Sequence, residues 1–368
     1  MSDSSSTYGT VGVDYDTLDA AKRAALAQAL ATSPMLEQHG GRAFDASRGE
    51  PAFVFEVNGQ TMAIVLECLG TKSMIAREFE EQTGIDRFAD IAFDSVAAIV
   101  NDLICVGATP LVVNAYFATG SADWYGKGTR LDSLTSGWRA ACEAAGATWG
   151  GGESPSLPGL IDPAEIELAG SAVGYVPTNI SPILGDGLEA GDSIVLLAST
   201  GLHANGASLA RKVAQESSDG LTTKLPRGRS LGEALLVPAP IYSGLIGALI
   251  EDGVPITYLS HVTGHGARKL MRARHDLTYV IETLPSVPEV LQFLVDHLRM
   301  DTREAFGTFN MGIGFAVYCK PEGAQEVVGR AAKMGLDATI GGRVEAGNKR
   351  VVLEPIDVEF GAEDLNLR

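Results

Sequence analysis

Residues 149–159 read WGGGESPSLPG, and this stretch poses the question on which the fold turns. Three glycines run together, a carboxylate follows at Glu153, and Pro155 and Pro158 flank the rest. Glycine loses more conformational freedom on folding than any other residue, so such a cluster marks a sharp turn or a close approach to the backbone. The stretch predicts a glycine-rich loop at a strand end, with Glu153 placed beside whatever approaches.

Working outward, residues 130–145 carry Leu131, Leu134, Trp138, Ala141 and Cys142 on one helical stripe. Residues 110–120 (PLVVNAYFATG) and IELAGSAVGYV read as strands on either side. Residues 87–107 predict a helix whose core face is Phe88, Ala92, Val96, Ile99, Leu103 and Val106. Asp90, Asp94 and Asn101 fall together on its opposite side. Upstream, PAFVFEVNGQTMAIVLECLGTK alternates around Asn58-Gly59, a hairpin signal. A further helix is expected at 16–30. Downstream, the Pro- and Gly-rich residues 177–192 read as a junction, SIVLLASTG as a buried strand and ASLARKVAQ as a helix. Helices and strands then alternate to about residue 355. The pattern predicts an α/β or α+β protein with mixed sheets flanked by helices. The expected organisation is an extension at 1–50, one domain at 51–180 and a second at 188–357.

The chain has 368 residues and a formal net charge of −18, which argues against non-specific nucleic-acid binding. The acid excess also serves solubility. No apolar run reaches membrane-spanning length, and the N-terminus lacks the basic and apolar regions of a secretory signal. Four scattered cysteines form no CxxC pair and predict a reduced, cytoplasmic protein. Cys105 and Cys142 read as core fillers.

Four junctions combine glycine with polar groups: ECLGTKSM (67–74), GGGES (150–154), STGLHANGASLARK (199–212) and LSHVTGHGARK (259–269). None matches a full-length phosphate-binding fingerprint. Strand ends are where ligands of α/β sheets bind, so four such junctions point to a polyanionic ligand. Glu67, Asp94, Asp102 and Glu153 lie at or near them. Mg2+ takes carboxylates plus substrate phosphates, so these acids suggest a magnesium nucleotide. Asp94 and Asp102 read equally well as ordinary helix-surface acids. Of the histidines, His203 sits in the turn-like GLHANG, which would leave its ring near a ligand. His261 and His265 have HxxxH spacing, but Gly264 and Gly266 argue against a zinc-binding helix.

VNDLICVGATPL, YFATG, GGGES, GLHANGASLARK, HVTGHG and FNMGIGF occur in order over nearly the whole chain. Together they resemble the aminoimidazole ribonucleotide synthetase family, the phosphoribosylformylglycinamidine cyclo-ligases. The wider superfamily includes formylglycinamide ribonucleotide amidotransferase, selenophosphate synthetase, thiamine monophosphate kinase and a hydrogenase maturation factor. The resemblance implies a two-domain PurM-like fold and a homodimer in which N-terminal domains pair into a β-barrel. It implies ATP and Mg2+ as cofactors and a phosphoribosyl amidine as substrate, closed to 5-aminoimidazole ribonucleotide. Neither nucleic acid nor membrane is implied as a partner.

By matching segments, the resemblance places Glu67, Asp94, Asp102 and Glu153 at the metal. Gly70, Thr71, Lys72, Asn101, Gly151, Gly152 and Glu153 would hold the nucleotide, with the glycines making room for a triphosphate. His203, Asn205 and Lys72 would act at the reacting end. Ser154, His261, Thr263 and Gly264 would line the substrate side. GTVGVDYDTLD resembles a nucleotide-covering segment. The chain departs from the family pattern at Gly9, Glu67, Cys68 and His265. Two alternatives stay open: another ATP-dependent kinase or synthetase of the superfamily, or an inactive nucleotide-binding regulator.

Overall fold

The computed structural model describes residues 15–365. Tyr8, Gly9 and most of the expected nucleotide-covering segment lie outside the described residues. The first unit runs α1 (Tyr15–Thr32), β1 (Gly41–Ala43), β2 (Phe53–Val57), β3 (Gln60–Cys68), α2 (Lys72–Thr83), α3 (Phe88–Leu103), β4 (Thr109–Thr119), α4 (Arg130–Ala145), β5 (Thr148–Glu153) and β6 (Ile166–Tyr175). Its six strands form one sheet in the order β1-β2-β3-β6-β4-β5. Only β4 and β5 run parallel. The β2–β3 hairpin turns at Asn58 and Gly59, both at positive φ (52° and 76°), so a two-residue loop matches the strand twist.

Helix α3 lies across β3 and β6, with α4 packed beside it. Its apolar stripe does what the periodicity predicts: Phe88, Ala92, Val96, Ile99 and Leu103 are buried. Gly170 of β6 lets Ile99 and Trp138 reach the sheet, since a Cβ there would meet both side chains. The opposite sheet face carries Ile64, Leu66 and Tyr116, which are 41%, 75% and 37% exposed. Strand register places Ile64 beside Val173, Leu66 beside Ser171, Tyr116 beside Ala169 and Glu153 beside Tyr116. That face therefore carries exposed apolar side chains between Ser171 and Glu153, and none of the described residues covers them.

The glycine cluster is not the predicted loop. It is the edge strand β5, bulged against β4 between Val113 and Asn114. A Cβ on Gly152 would run into the Ala115 carbonyl oxygen, and one on Gly150 into the Val112 and Asn114 side chains. Gly151 has φ +120°. Strand β4 approaches Gly150 and Gly152, whereas a Cβ on Gly151 would meet open space, so close strand packing accounts for two of the three glycines.

The second unit contains β7 (Ser193–Ala198), α5 (Ala207–Glu216), α6 (Leu231–Leu235), α7 (Ser243–Glu251), β8 (Ile256–His261), β9 (Leu277–Ile281), α8 (Glu289–Leu298), α9 (Thr302–Thr308), β10 (Ile313–Cys319), α10 (Pro321–Lys333), β11 (Ala338–Ala346), β12 (Arg350–Leu353) and β13 (Val358–Gly361). Its sheet order is β13-β12-β9-β11-β7-β10-β8, with β12 parallel to β9. Every residue of β10 is buried. Among the described residues no helix is long and apolar enough to cross a membrane.

The polar side of α3 docks the two units. Asp94 Oδ1 accepts the Ala239 N–H at 2.7 Å. Asn101 donates to the Pro240 carbonyl at 2.8 Å and accepts the Tyr242 N–H at 3.0 Å. Asp94 Oδ2 pairs with Lys72 Nζ at 2.5 Å, both side chains wholly buried. The surface-acid reading of Asp94 is thus corrected: the second unit covers this face. Lys72→Met leaves a buried carboxylate uncompensated and should cost about 3–5 kcal/mol in urea unfolding. A paired Lys72→Met/Asp94→Leu variant should recover part of that loss. A single variant as stable as wild type overturns the pair's structural role.

Candidate active site between the two sheets

Three glycine-marked junctions meet where the units touch. Gly70, at φ +68°, receives a carboxylate oxygen of Glu167 on its N–H at 3.1 Å and opens α2. Thr71 and Ser208 share a hydroxyl hydrogen bond of 2.9 Å, tying α2 to α5. Lys72 Nζ donates to the His203 carbonyl at 2.9 Å. The GLHANG turn is stitched from its other side by Asn310 of FNMGIG. Its amide donates to the Gly201 carbonyl at 2.8 Å and the Leu202 carbonyl at 3.3 Å, and its Oδ1 accepts from Ser199 Oγ and the Gly312 N–H.

His203 sits at φ +60°, a left-handed conformation that costs a residue with a Cβ roughly 1–2 kcal/mol. The surrounding bonds hold it there. The Thr200 N–H points at His203 Nε2 at 3.2 Å, while Thr200 Oγ1 donates to the Pro238 carbonyl. A backbone N–H can only donate, so Nε2 carries the lone pair and the ring proton is assigned to Nδ1. Nδ1 is buried and has no hydrogen-bond partner among the described residues. Burial, then the charges of His261 and Lys72, pulls the ring pKa down to about 3. His203 is a neutral hydrogen-bond donor.

His203, Asn205, His261, Thr263 and Asn310 line a narrow pocket, which shares Ala98, Ala204, Asn205 and Thr263 with a cleft of about 440 Å³. The cleft walls include Glu67, Cys68, Asp102, Gly264, His265, Lys269 and Arg272, with Leu26 of α1 at one side. His261 Nδ1 meets Asp102 Oδ1 at 2.6 Å. Burial raises the Asp102 carboxyl, but the His261 hydrogen bond and charge, with Arg272 and Lys269, hold it below the usual range. Glu67 is pushed up to about 8, first by burial and then by Asp102 beside it.

The structure thus brings together Glu67, Asp102, His203, Asn205, His261, Thr263 and Gly264. Other expected site residues lie elsewhere. Lys72 is fully buried against Asp94 and cannot meet a phosphate as placed, and Asn101 is enclosed in the unit interface. Gly151, Gly152, Glu153 and Ser154 lie exposed along and just past the sheet-edge strand β5. Within one chain the four expected metal carboxylates do not converge. Among the described residues no three His, Cys, Asp or Glu side chains are grouped to hold a metal ion. The physical reason is that Asp94 is engaged by Lys72 and Glu153 belongs to a different edge of the molecule.

Lys269 and Arg272 were not read from the sequence. Arg272 donates twice to the Gly49 carbonyl and lies 3.8 Å from Glu50. The available signal was GARKLMRAR, whose residues 268–274 hold four cations in a chain of net charge −18. The four cysteines are free, with Cys105 and Cys142 buried and Cys68 exposed.

A two-unit α/β protein with a polar cleft at the unit interface is the class this arrangement defines. Residues 49–176 match the N-terminal domain and residues 189–354 the C-terminal domain of AIR synthase related proteins. A phosphoribosylformylglycinamidine cyclo-ligase of Methanobrevibacter smithii is 31% identical over 88% of this chain and 90% of its own length. The enzyme of that name from Bacillus subtilis is 34% identical over 76% and 79%. That from Alkaliphilus oremlandii is 36% identical over 73% and 79%. The chain belongs to the AIR synthase related family. Among solved structures, the hydrogenase maturation protein HypE in complex with ATP superposes with TM-score 0.59 at 17% identity, over 81% of this chain and 83% of that one. T. maritima PurL complexed with FGAR gives 0.53 at 16%, over 82% and 45%. Both show the shared fold.

A histidine whose folded pKa is depressed adds stability above its unfolded value of 6.5 and loses it as pH falls toward 3. His203→Gln lacks that increment. The melting-temperature gap between wild type and His203→Gln should narrow between about pH 7 and pH 4. A gap that widens on acidification contradicts a neutral His203.

Proposed function

We propose that this protein is a cytoplasmic, ATP-dependent cyclo-ligase of purine biosynthesis. It closes formylglycinamidine ribonucleotide to 5-aminoimidazole ribonucleotide with release of ADP and phosphate. The observation that carries the reading is the cleft itself, in a chain whose curated relatives bear that enzyme's name. It sets a neutral histidine donor and an Asp102–His261 pair beside two cations.

The chemistry follows from a poor leaving group. An amide oxygen does not depart unaided. Transfer of the terminal phosphoryl group to the formyl oxygen releases ADP and converts that oxygen to phosphate. The amidine-derived nitrogen then attacks the formyl carbon, forming the ring C–N bond. The C–O bond breaks, phosphate leaves, and the nitrogen gives up a proton. The His203 Nδ1–H and the Asn205 amide would donate to oxygen as charge develops on it. His261, oriented by Asp102 through Nδ1, would accept the proton at Nε2. Lys269 and Arg272 would hold phosphate oxygens.

The donor set fits a magnesium nucleotide. Glu67 and Asp102 are neighbouring carboxyls in the cleft wall, and oxygen donors of this kind suit Mg2+. When bound, the ion would neutralise phosphate charge, with Glu67 and Asp102 as its protein ligands. Gly70 and Thr71, at the start of α2, remain proposed nucleotide contacts.

The apolar sheet face around Leu66 supports a homodimer in which two such faces pair. Glu153 lies in that face, so a partner's sheet would cover it and place it, with Gly151, Gly152 and Ser154, next to the partner's residues. Leu66→Asp should yield a monomer by light scattering and lower the rate at least tenfold. A wild-type protein that runs as a monomer rejects the pairing.

The direct test mixes the protein with ATP, Mg2+ and formylglycinamidine ribonucleotide, and follows ADP and the diazotisable aminoimidazole together. Both should appear, and His203→Ala and His261→Ala should each reduce them at least a hundredfold. ATP turnover that ignores the amidine would sink the cyclo-ligase reading.

A further inference from the structure

A second cavity, of about 510 Å³, lies wholly within the C-terminal unit. It opens between the ends of β7, β9 and β11 and the start of α8, and the proposed reaction does not use it. Its floor is apolar, formed by Leu196, Ala234, Leu284 and Val290.

Its wall carries two arginines, Arg227 and Arg229, and two carboxylates, Glu289 and Asp337. Residues 225–229 form a tight turn: the Leu225 N–H bonds the Arg229 carbonyl at 2.9 Å, and the Gly228 N–H bonds the Leu225 carbonyl at 2.8 Å. Gly228, at φ +90°, permits the reversal. The turn is anchored to α8, because the Arg227 N–H donates to Glu289 Oε2 at 3.1 Å. Arg227 and Arg229 thereby project at the cavity mouth, both exposed. Neither guanidinium has an ion-pair partner among the described residues, although carboxylates greatly outnumber cations in this chain. Asp337 stands elsewhere on the cavity wall.

These parts match one class of ligand. Two guanidiniums suit a phosphate, which they bind through forked hydrogen bonds. An apolar slot of this volume accepts a flat heterocycle. A carboxylate accepts ribose hydroxyls, as it does in nucleotide-binding folds. We propose that this cavity binds a nucleoside monophosphate, with its phosphate on Arg227 and Arg229 and its ribose hydroxyls on Asp337.

The site is separate from the cleft but shares a wall with it. Thr200 lines this cavity, and its N–H holds the ring of His203, which lines the catalytic pocket. An occupant here would press on the segment that fixes the His203 tautomer. The proposed site rests on this cavity alone; the filled cleft and the amidine KM in its test rest on the proposed reaction, whereas the comparison of wild type with the arginine variant does not.

The test uses the full chain, saturated with a non-hydrolysable ATP analogue and Mg2+ so that the cleft is filled. Adenosine 5′-monophosphate is then titrated by calorimetry. Wild type should show one saturable event per chain. Arg227→Ser/Arg229→Ser should weaken it at least tenfold with an unchanged melting temperature, as exposed side chains allow. Asp337→Asn should weaken it severalfold through a different contact. Three results overturn the inference: no saturable heat in wild type, an arginine variant that binds as wild type does, or a tenfold rise in KM for the amidine in that variant. The last would assign the arginines to the substrate's own phosphate.

Discussion

The ion pair between Lys72 and Asp94 is the constraint around which the molecule is arranged. It is wholly buried, and burying two charges is unfavourable unless every remaining donor and acceptor is met. Lys72 also donates to the His203 carbonyl, and Asp94 accepts the Ala239 N–H, so each partner gains one further hydrogen bond. Four segments distant in sequence therefore converge on one pair of side chains: the start of α2, the middle of α3, the GLHANG turn and the irregular stretch before α7. Shifting any one of them exposes a charge to an apolar surrounding. The His203 backbone, held in its left-handed conformation, inherits its position from this arrangement. The pocket lined by His203 is thus placed by a buried contact whose Asp94 also forms part of its wall.

The same helix repeats the device twice. Asn101 satisfies Pro240 and Tyr242, and Asp102, one residue on, turns to His261. One apolar stripe of α3 packs on its own sheet, and one polar stripe carries the other unit. Directional polar bonds suit this second task, because apolar contact alone would let the units slide.

Much of this was legible from local pattern. Helix α4 spans the expected 130–145 and buries Leu134, Trp138, Ala141 and Cys142 while Leu131 stays exposed, and the Asn58-Gly59 hairpin follows from turn chemistry. The GLHANG turn announced a histidine at a site because its residues are those that tolerate unusual backbone angles. What escaped reading has a common cause. Asp94 and Asn101 look like a solvated face until residues 239–242, well over a hundred positions away, are laid over them. Two of the three glycines, Gly150 and Gly152, signal a close approach, yet nothing local says that the approaching object is β4. Lys72 reads as a phosphate contact because its neighbours do; only the fold shows it sealed. Cations such as Lys269 and Arg272 gain meaning from the acids they face, and those come from β3 and α3.

Strand order also sets a timetable for synthesis. The six-stranded sheet is complete once residue 175 has been made, but β7, central in the other sheet, finds its neighbours only in β10 and β11, whose last residue is 346. At ribosomal rates of about 5–20 residues per second, roughly ten to thirty seconds separate the two events. A first half that folds in that interval would stand beside a nascent second half with the amide of Asn101 and one oxygen of Asp94 facing water. Those same polar groups that later lock the halves together keep the waiting surface wet and discourage it from sticking to other chains.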